Sequence, residues 1–200
     1  MTLIAKANTT TEYSPIPEGT HIARCVRIID LGHQYSQQYD KWTAQVRLDF
    51  EIPDEMIEIK GEQVPRIIGK TFTNSLGERS NLRKMLESWR GKKFTDEELA
   101  GFNLADLAGQ PCMVTVAHRE YNGRTYADVA ALVALPKSIP APEQVTPFVV
   151  FDLDNFEAIE ELDNVPEWLA DKIKDSKEWL ERFAPAAVAT EASSEEDLPF

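Results

Sequence analysis

Residues 42–52, WTAQVRLDFEI, place Trp42, Ala44, Val46, Leu48, Phe50 and Ile52 on one face of an extended chain. Thr43, Gln45, Arg47, Asp49 and Glu51 fall on the other. Successive side chains of a strand point to opposite faces, so alternation over this length predicts a half-buried β-strand. Upstream, residues 21–31 (HIARCVRIIDL) read as a first strand that Gly32 ends, and the polar stretch 33–40 (HQYSQQYD) as a loop or strand edge. Downstream, residues 53–65 read as an acidic loop or short hairpin, and 66–74 (RIIGKTFTN) as a third strand.

The period changes at Ser75. Over residues 75–89, Leu82, Met85, Leu86 and Trp89 recur at i, i+3, i+4 and i+7, the apolar stripe of a helix. Gly91 suits its C-terminal end, and Thr95 with Glu98 has the spacing of a capping box opening a second short helix. Residues 111–118 (PCMVTVAH) and 125–135 read as strands four and five, joined across Asn122-Gly123, a strong hairpin signal. Three strands, a helical excursion and a two-strand hairpin give a mainly β fold with helical additions: a five-stranded OB-like Greek-key barrel. Barrels of this type often bind oligonucleotides. Four segments follow: a flexible N-terminal arm at 1–18, broken by Pro15 and Pro17; the barrel at 19–137; a linker and helical extension at 138–183; and a disordered acidic tail at 184–200. In the extension, residues 148–153 read as a strand or strap, and 155–162 and 166–183 as helices that either pack on the barrel or form a homodimer contact.

The chain has 200 residues and a net charge of −13, unevenly spread. Residues 1–137 carry 17 Lys and Arg against 18 Asp and Glu; residues 138–200 carry 4 against 16. A near-neutral body thus holds a basic stretch at 70–93 and ends in an acidic third, an asymmetry that hints at nucleic-acid binding or an interaction tail. No apolar run approaches the roughly 20 residues of a membrane helix. The N-terminus has no signal-peptide pattern, so a cytoplasmic protein is expected. Two lone cysteines and three scattered histidines suggest neither a disulfide framework nor a zinc site. Phosphate-loop, dinucleotide, nucleophile-elbow and HExxH motifs are absent from the sequence. The reading is a non-enzyme with no cofactor or metal. One rival is a metal-dependent nuclease built on Asp30, Asp49, Glu51 and Asp128. Another is an acidic DNA mimic that binds a host enzyme. Cys25 or Cys112 with His118 is weighed as a nucleophile pair and set below simple burial of the thiols.

The tail closes on Glu195-Glu196-Asp197-Leu198-Pro199-Phe200. An acidic run followed by two large apolar residues suits a partner pocket with a greasy base and a Lys or Arg rim. This tip resembles that of bacterial single-stranded DNA-binding proteins, which end in an acidic run and Ile-Pro-Phe; Leu198 stands in the isoleucine place. Residues 76–135, with NLRKMLESWRGKKFT and REYNGRTYADV, are similar to bacteriophage-encoded single-stranded DNA-binding or replication proteins. The chain differs from the bacterial family in its excursion at 75–109 and in the helical segment at 146–183. The resemblance implies sequence-independent binding of single-stranded DNA during phage replication or recombination, in the cytoplasm of a bacterial host cell. It also implies that Glu195, Glu196, Asp197, Leu198, Pro199 and Phe200 recruit replication or repair proteins; the charge of the acidic tail, like that of a nucleic-acid strand, lets it compete for the DNA groove.

Such binding needs cations along the phosphates and exposed rings for the bases. The candidate rings are Tyr35 and Tyr39 after the first strand, Tyr121 and Tyr126 beside the Asn-Gly turn, and Phe72 on the third strand. Trp42, Phe50 and Trp89 lie on apolar stripes and are expected in the core. The candidate cations are Lys41, Arg47, Lys70, Arg79, Arg119 and Arg124, with Arg24 and Arg27 beside them.

Overall fold

A computed structural model describes residues 14–156 and 159–183, with the backbone alone at 160. Residues 1–13 of the expected arm and the whole acidic tail lie outside the described residues. Five strands build the body: β1 (Gly19–Ser36), β2 (Lys41–Ile59), β3 (Glu62–Thr73), β4 (Pro111–Tyr121) and β5 (Arg124–Val133). They pair antiparallel in the order β3-β2-β1-β4-β5. The sheet curls until β5 meets β3, where the Lys70 ammonium donates to the Val129 carbonyl. The result is a nearly closed barrel, the mainly β, OB-like architecture expected.

The alternation read in 42–52 holds. Val46, Leu48, Phe50 and Ile52 point inward with Ile68 and Phe72 of β3, Cys25 and Ile28 of β1, and Val129 and Leu132 of β5. Between β3 and β4 the chain forms α1 (Asn81–Arg90), α2 (Asp96–Ala100) and a 3-10 turn at Leu104–Leu107. Helix α1 closes one end of the barrel with Leu82, Leu86 and Trp89; the Trp89 ring meets Phe50 edge-on at 5.5 Å, and its indole N–H donates to the Pro111 carbonyl. The helix starts at Asn81, six residues later than the expected start at Ser75, because Ser80 caps it by accepting from the Arg83 N–H. The Thr95–Glu98 capping box forms as read.

Three elements run past their expected ends. β2 and β3 continue to a hairpin turned at Lys60-Gly61, and both turn residues have positive φ. β1 passes through Gly32 to Ser36, with irregular register between Asp30 and His33. Gly32 has φ +63°, and a Cβ there would lie 2.6 Å from both Glu178 Oε2 and Leu153 Cδ2. Pairing irregularities at Cys25–Arg27 and at Asp30–His33 turn Ile28 into the barrel, while Ile29 and Leu31 face outward.

Those outward residues nucleate a second core. β6 (Val149–Phe151) pairs parallel with β1, followed by a 3-10 turn (Ile159–Asn164), α3 (Glu167–Lys174) and α4 (Lys177–Phe183). Phe151, Leu153, Phe156, Leu162, Leu169, Ile173 and Trp179 bury against Ile29 and Leu31. The 138–183 extension therefore packs on the outside of β1. The helix read over 166–183 divides at Asp175-Ser176, where the buried Ser176 hydroxyl accepts from the Trp179 N–H. Ile16 is buried in the barrel core, so residues next to β1 on the N-terminal side are also packed.

Candidate nucleic-acid interface

The outward residues of β2 are covered. Asp49 is 2% exposed and lies between Arg27 Nη1 at 3.2 Å and Arg47 Nε at 2.7 Å. Gly69 stands opposite Asp49 on β3, and a Cβ there would fall 1.7 Å from Asp49 Oδ1, so only glycine leaves room for this carboxylate. The Arg47 guanidinium lies 4.6 Å from the Trp168 ring centroid. Lys172 Nζ donates to Gln45 Oε1 at 2.8 Å, and burial, then the Arg47 charge, holds its pKa down. Glu51 is fully buried and accepts the Val145 and Thr146 N–H groups at 3.0 and 2.7 Å. Arg24 donates to the Gly109 and Pro142 carbonyls. The strap and α3 thus lie across the β1–β2 face. Arg47, expected to face a ligand, is engaged by the protein itself, and so are Arg24 and Arg27.

Two hairpin tips stay open. β3 ends at Thr73 opposite Gln45, so the β1–β2 pairs Tyr35–Trp42 and Ser36–Lys41 extend beyond the third strand. Tyr35, Tyr39 and Trp42 are 48%, 66% and 40% exposed. The Tyr35 and Trp42 rings sit 5.4 Å apart, and Lys41 Nζ lies 5.9 Å from the Tyr39 ring centroid. Tyr35 donates its hydroxyl to the Asp40 carboxylate, which pushes the phenol pKa up. Trp42, expected in the core, is not there: it shares the parity of the core residues but lies past the end of β3, with no helix or third strand beneath it among the described residues. At the β4–β5 tip, Asn122 and Gly123 turn the chain with positive φ. Arg119 pairs with Tyr126 and Tyr121 with Arg124, all exposed, with Tyr121 the more open of the two rings at this tip.

Between these tips runs the closure of the barrel. A groove of about 750 Å³ is lined by Lys70, Thr73, Ser75, Arg79 and Asn81. It shares Lys70, Phe72 and Asn81 with a second groove of about 410 Å³ that follows α1 and β5 past Lys84, Ser88 and Ala130. Lys70 Nζ also lies 3.5 Å from Asp128. Arg79 and Lys84 are exposed and form no ion pair among the described residues. Asn74 N–H donates to the Ala44 carbonyl, tying the groove to the first hairpin, and β5 leads from Ala130 back to Tyr126 at the second. Phe72, a candidate ring, is 4% exposed; its side chain fills the core, where the inward parity of β3 puts it. Lys84 and Asn81 were missed as site residues, although Lys84 belongs to the basic stretch at 70–93.

The nucleophile pair is not assembled. His118 Nε2 contacts the Ile16 carbonyl at 2.7 Å, while Cys25 and Cys112 are buried, with thiol pKa values pushed well up by burial. Among the described residues, no three His, Cys, Asp or Glu side chains are grouped to hold a metal ion. Of the acids weighed for a metal, Asp49 is held by Arg27 and Arg47, Glu51 by the Val145 and Thr146 N–H groups, Asp30 by the Gly32 N–H, and Asp128 lies against Lys70. No helix of the described chain is long and apolar enough to cross a membrane. No family model matches this chain, and no curated protein matches it.

Proposed function

We propose that this protein binds single-stranded DNA without sequence preference imposed by a reading motif, as a non-enzymatic coating protein. The observation that carries the reading is the pair of open hairpins, each bearing tyrosines and cations, on either side of the Lys70–Arg79–Lys84 groove. Rings and cations alternating along a groove are what a flexible strand requires, since bases stack on rings and phosphates follow the charges. The strand runs over the β3–β5 closure and α1 rather than over β2. The segment Glu195–Phe200 is assigned to partner recruitment on its acidic and apolar sequence alone, and the acidic tail to competition for the groove.

The test is a titration of intrinsic fluorescence with a thymine oligonucleotide at several salt concentrations. Quenching that weakens steeply with salt supports the reading. No response at low salt, with or without residues 184–200, overturns it in favour of an acidic protein that mimics DNA. Deleting 184–200 tightens binding at low salt; unchanged affinity removes the competition role.

A further inference from the structure

The open tip of the first hairpin carries one acid among its rings. Asp40 turns the chain there with φ +46°, a conformation in which asparagine and aspartate are the common residues after glycine. Asparagine would serve the turn, and its amide oxygen would accept the Tyr35 hydroxyl equally well. A carboxylate brings negative charge to a tip proposed to meet a polyanion, which weakens the hold on phosphates. Its placement supplies the offsetting contact. Asp40 Oδ1 accepts the Tyr35 hydroxyl, so the carboxylate stands at the rim of the Tyr35 ring. That ring leans against Trp42 at 52° and 5.4 Å, and is 48% exposed. A base stacked on its open side brings a hydrogen-bonding edge to the carboxylate. Asp40 is itself exposed, and its Oδ2 has no partner among the described residues. An ionised carboxylate can only accept, so it selects a donor on the base.

We propose that Asp40 reads the base stacked on Tyr35, with Oδ2 accepting from an exocyclic amino group of that base. This rests on the single-strand reading above. The chemistry separates the two pyrimidines. Cytosine presents its N4 amino group, the donor that aspartate accepts from. Thymine presents the O4 carbonyl in that place, which a carboxylate repels, and its one ring N–H lies between two carbonyl oxygens. The two rings are of equal size, so stacking on Tyr35 leaves the difference between them to Asp40. The groove and the cations hold any strand by its phosphates, and the first hairpin adds a preference at one position.

The experiment compares labelled cytosine and thymine oligonucleotides of equal length by anisotropy on the full chain, with Asp40→Asn and Tyr35→Phe variants. Asparagine accepts φ +46° and phenylalanine keeps the ring, so neither variant disturbs the fold. The expected result is a cytosine preference of about fivefold in the unaltered protein. Asp40→Asn removes a negative charge and tightens binding of both oligonucleotides at low salt. Its amide oxygen stays on Tyr35 and its –NH₂ faces the base, so the cytosine preference disappears or reverses. Tyr35→Phe keeps the stacking but releases the carboxylate, and brings the preference to near parity. Equal affinity of the unaltered protein for both oligonucleotides, or a thymine preference, overturns the role of Asp40 alone, as does a cytosine preference that survives Asp40→Asn. Failure to bind either oligonucleotide overturns the strand-binding reading, and the role of Asp40 with it.

Discussion

The Trp168 ring of α3 lies against the Arg47 guanidinium of β2 at 4.6 Å. This contact, with Lys172 on Gln45 and the strap on Glu51, closes the face of the barrel that its alternating sequence leaves polar. A cation over an indole contributes about 0.5–2 kcal/mol, depending on how far it is desolvated. Trp168→Ala therefore lowers stability by about 1 kcal/mol, read as a fall of about 2–4 °C in Tm. Oligonucleotide affinity stays within about twofold. A tenfold change in affinity would show that the β2 face takes part in binding.

Tyr35, Tyr39 and Trp42 are exposed and belong to neither core among the described residues, so truncating them costs little stability. Each base stacked on a ring contributes about 1–3 kcal/mol. Trp42→Ala lowers affinity by about that amount and abolishes most of the tryptophan quenching, since Trp89 and Trp179 are buried and Trp168, although 54% exposed, sits on α3 over the β2 face, away from the proposed strand path. Quenching that persists in Trp42→Ala would exclude the first hairpin as a stacking platform.

Arg79 and Lys84 supply charge without internal ion pairs among the described residues. Each phosphate neutralised on a single strand adds about −0.7 to the slope of log K against log salt concentration. The double variant Arg79→Gln, Lys84→Gln flattens that slope by about 1.4. The same slope in both proteins would place the strand elsewhere.

Glu51 holds the strap by accepting two backbone N–H groups with a buried carboxylate. Glu51→Gln presents an amide –NH₂ where an acceptor is needed and destabilises by about 1–3 kcal/mol. Limited proteolysis reads the effect directly: cleavage within 138–148 accelerates in the variant. Equal cleavage rates would mean that the strap is held by other contacts.

Glu178 links α4 to β1 by accepting from the His33 N–H at 2.8 Å and from its ring Nδ1. Burial raises its pKa, but the two bonds from His33 outweigh that and leave it below the usual glutamate value. A depressed pKa contributes stability that is present above the unfolded-state pKa and is lost as pH falls through the folded one. Thermal melts from pH 6 down to pH 3 show this loss in the native protein, and Glu178→Gln removes that part of it. Parallel profiles for the two proteins would refute the link.

The barrel was legible because its strands alternate and its caps are local. Residues 42–52, Thr95–Glu98 and Asn122-Gly123 each state their conformation within a dozen residues, and the order of the elements then selects a five-stranded barrel. The two tyrosine-bearing hairpins followed from the same local signals. What lay beneath each face did not. Phe72 and Trp42 both have inward parity, yet Phe72 meets the core, and Trp42 stands beyond the end of β3 with Tyr35 beside it. Arg47 has outward parity, yet Trp168, 121 residues later, covers it. Parity along a strand depends on neighbouring bonds, so sequence alone determines it. Whether a face meets core, solvent or a returning segment depends on strand lengths in register and on distant packing. Only the folded chain decides those.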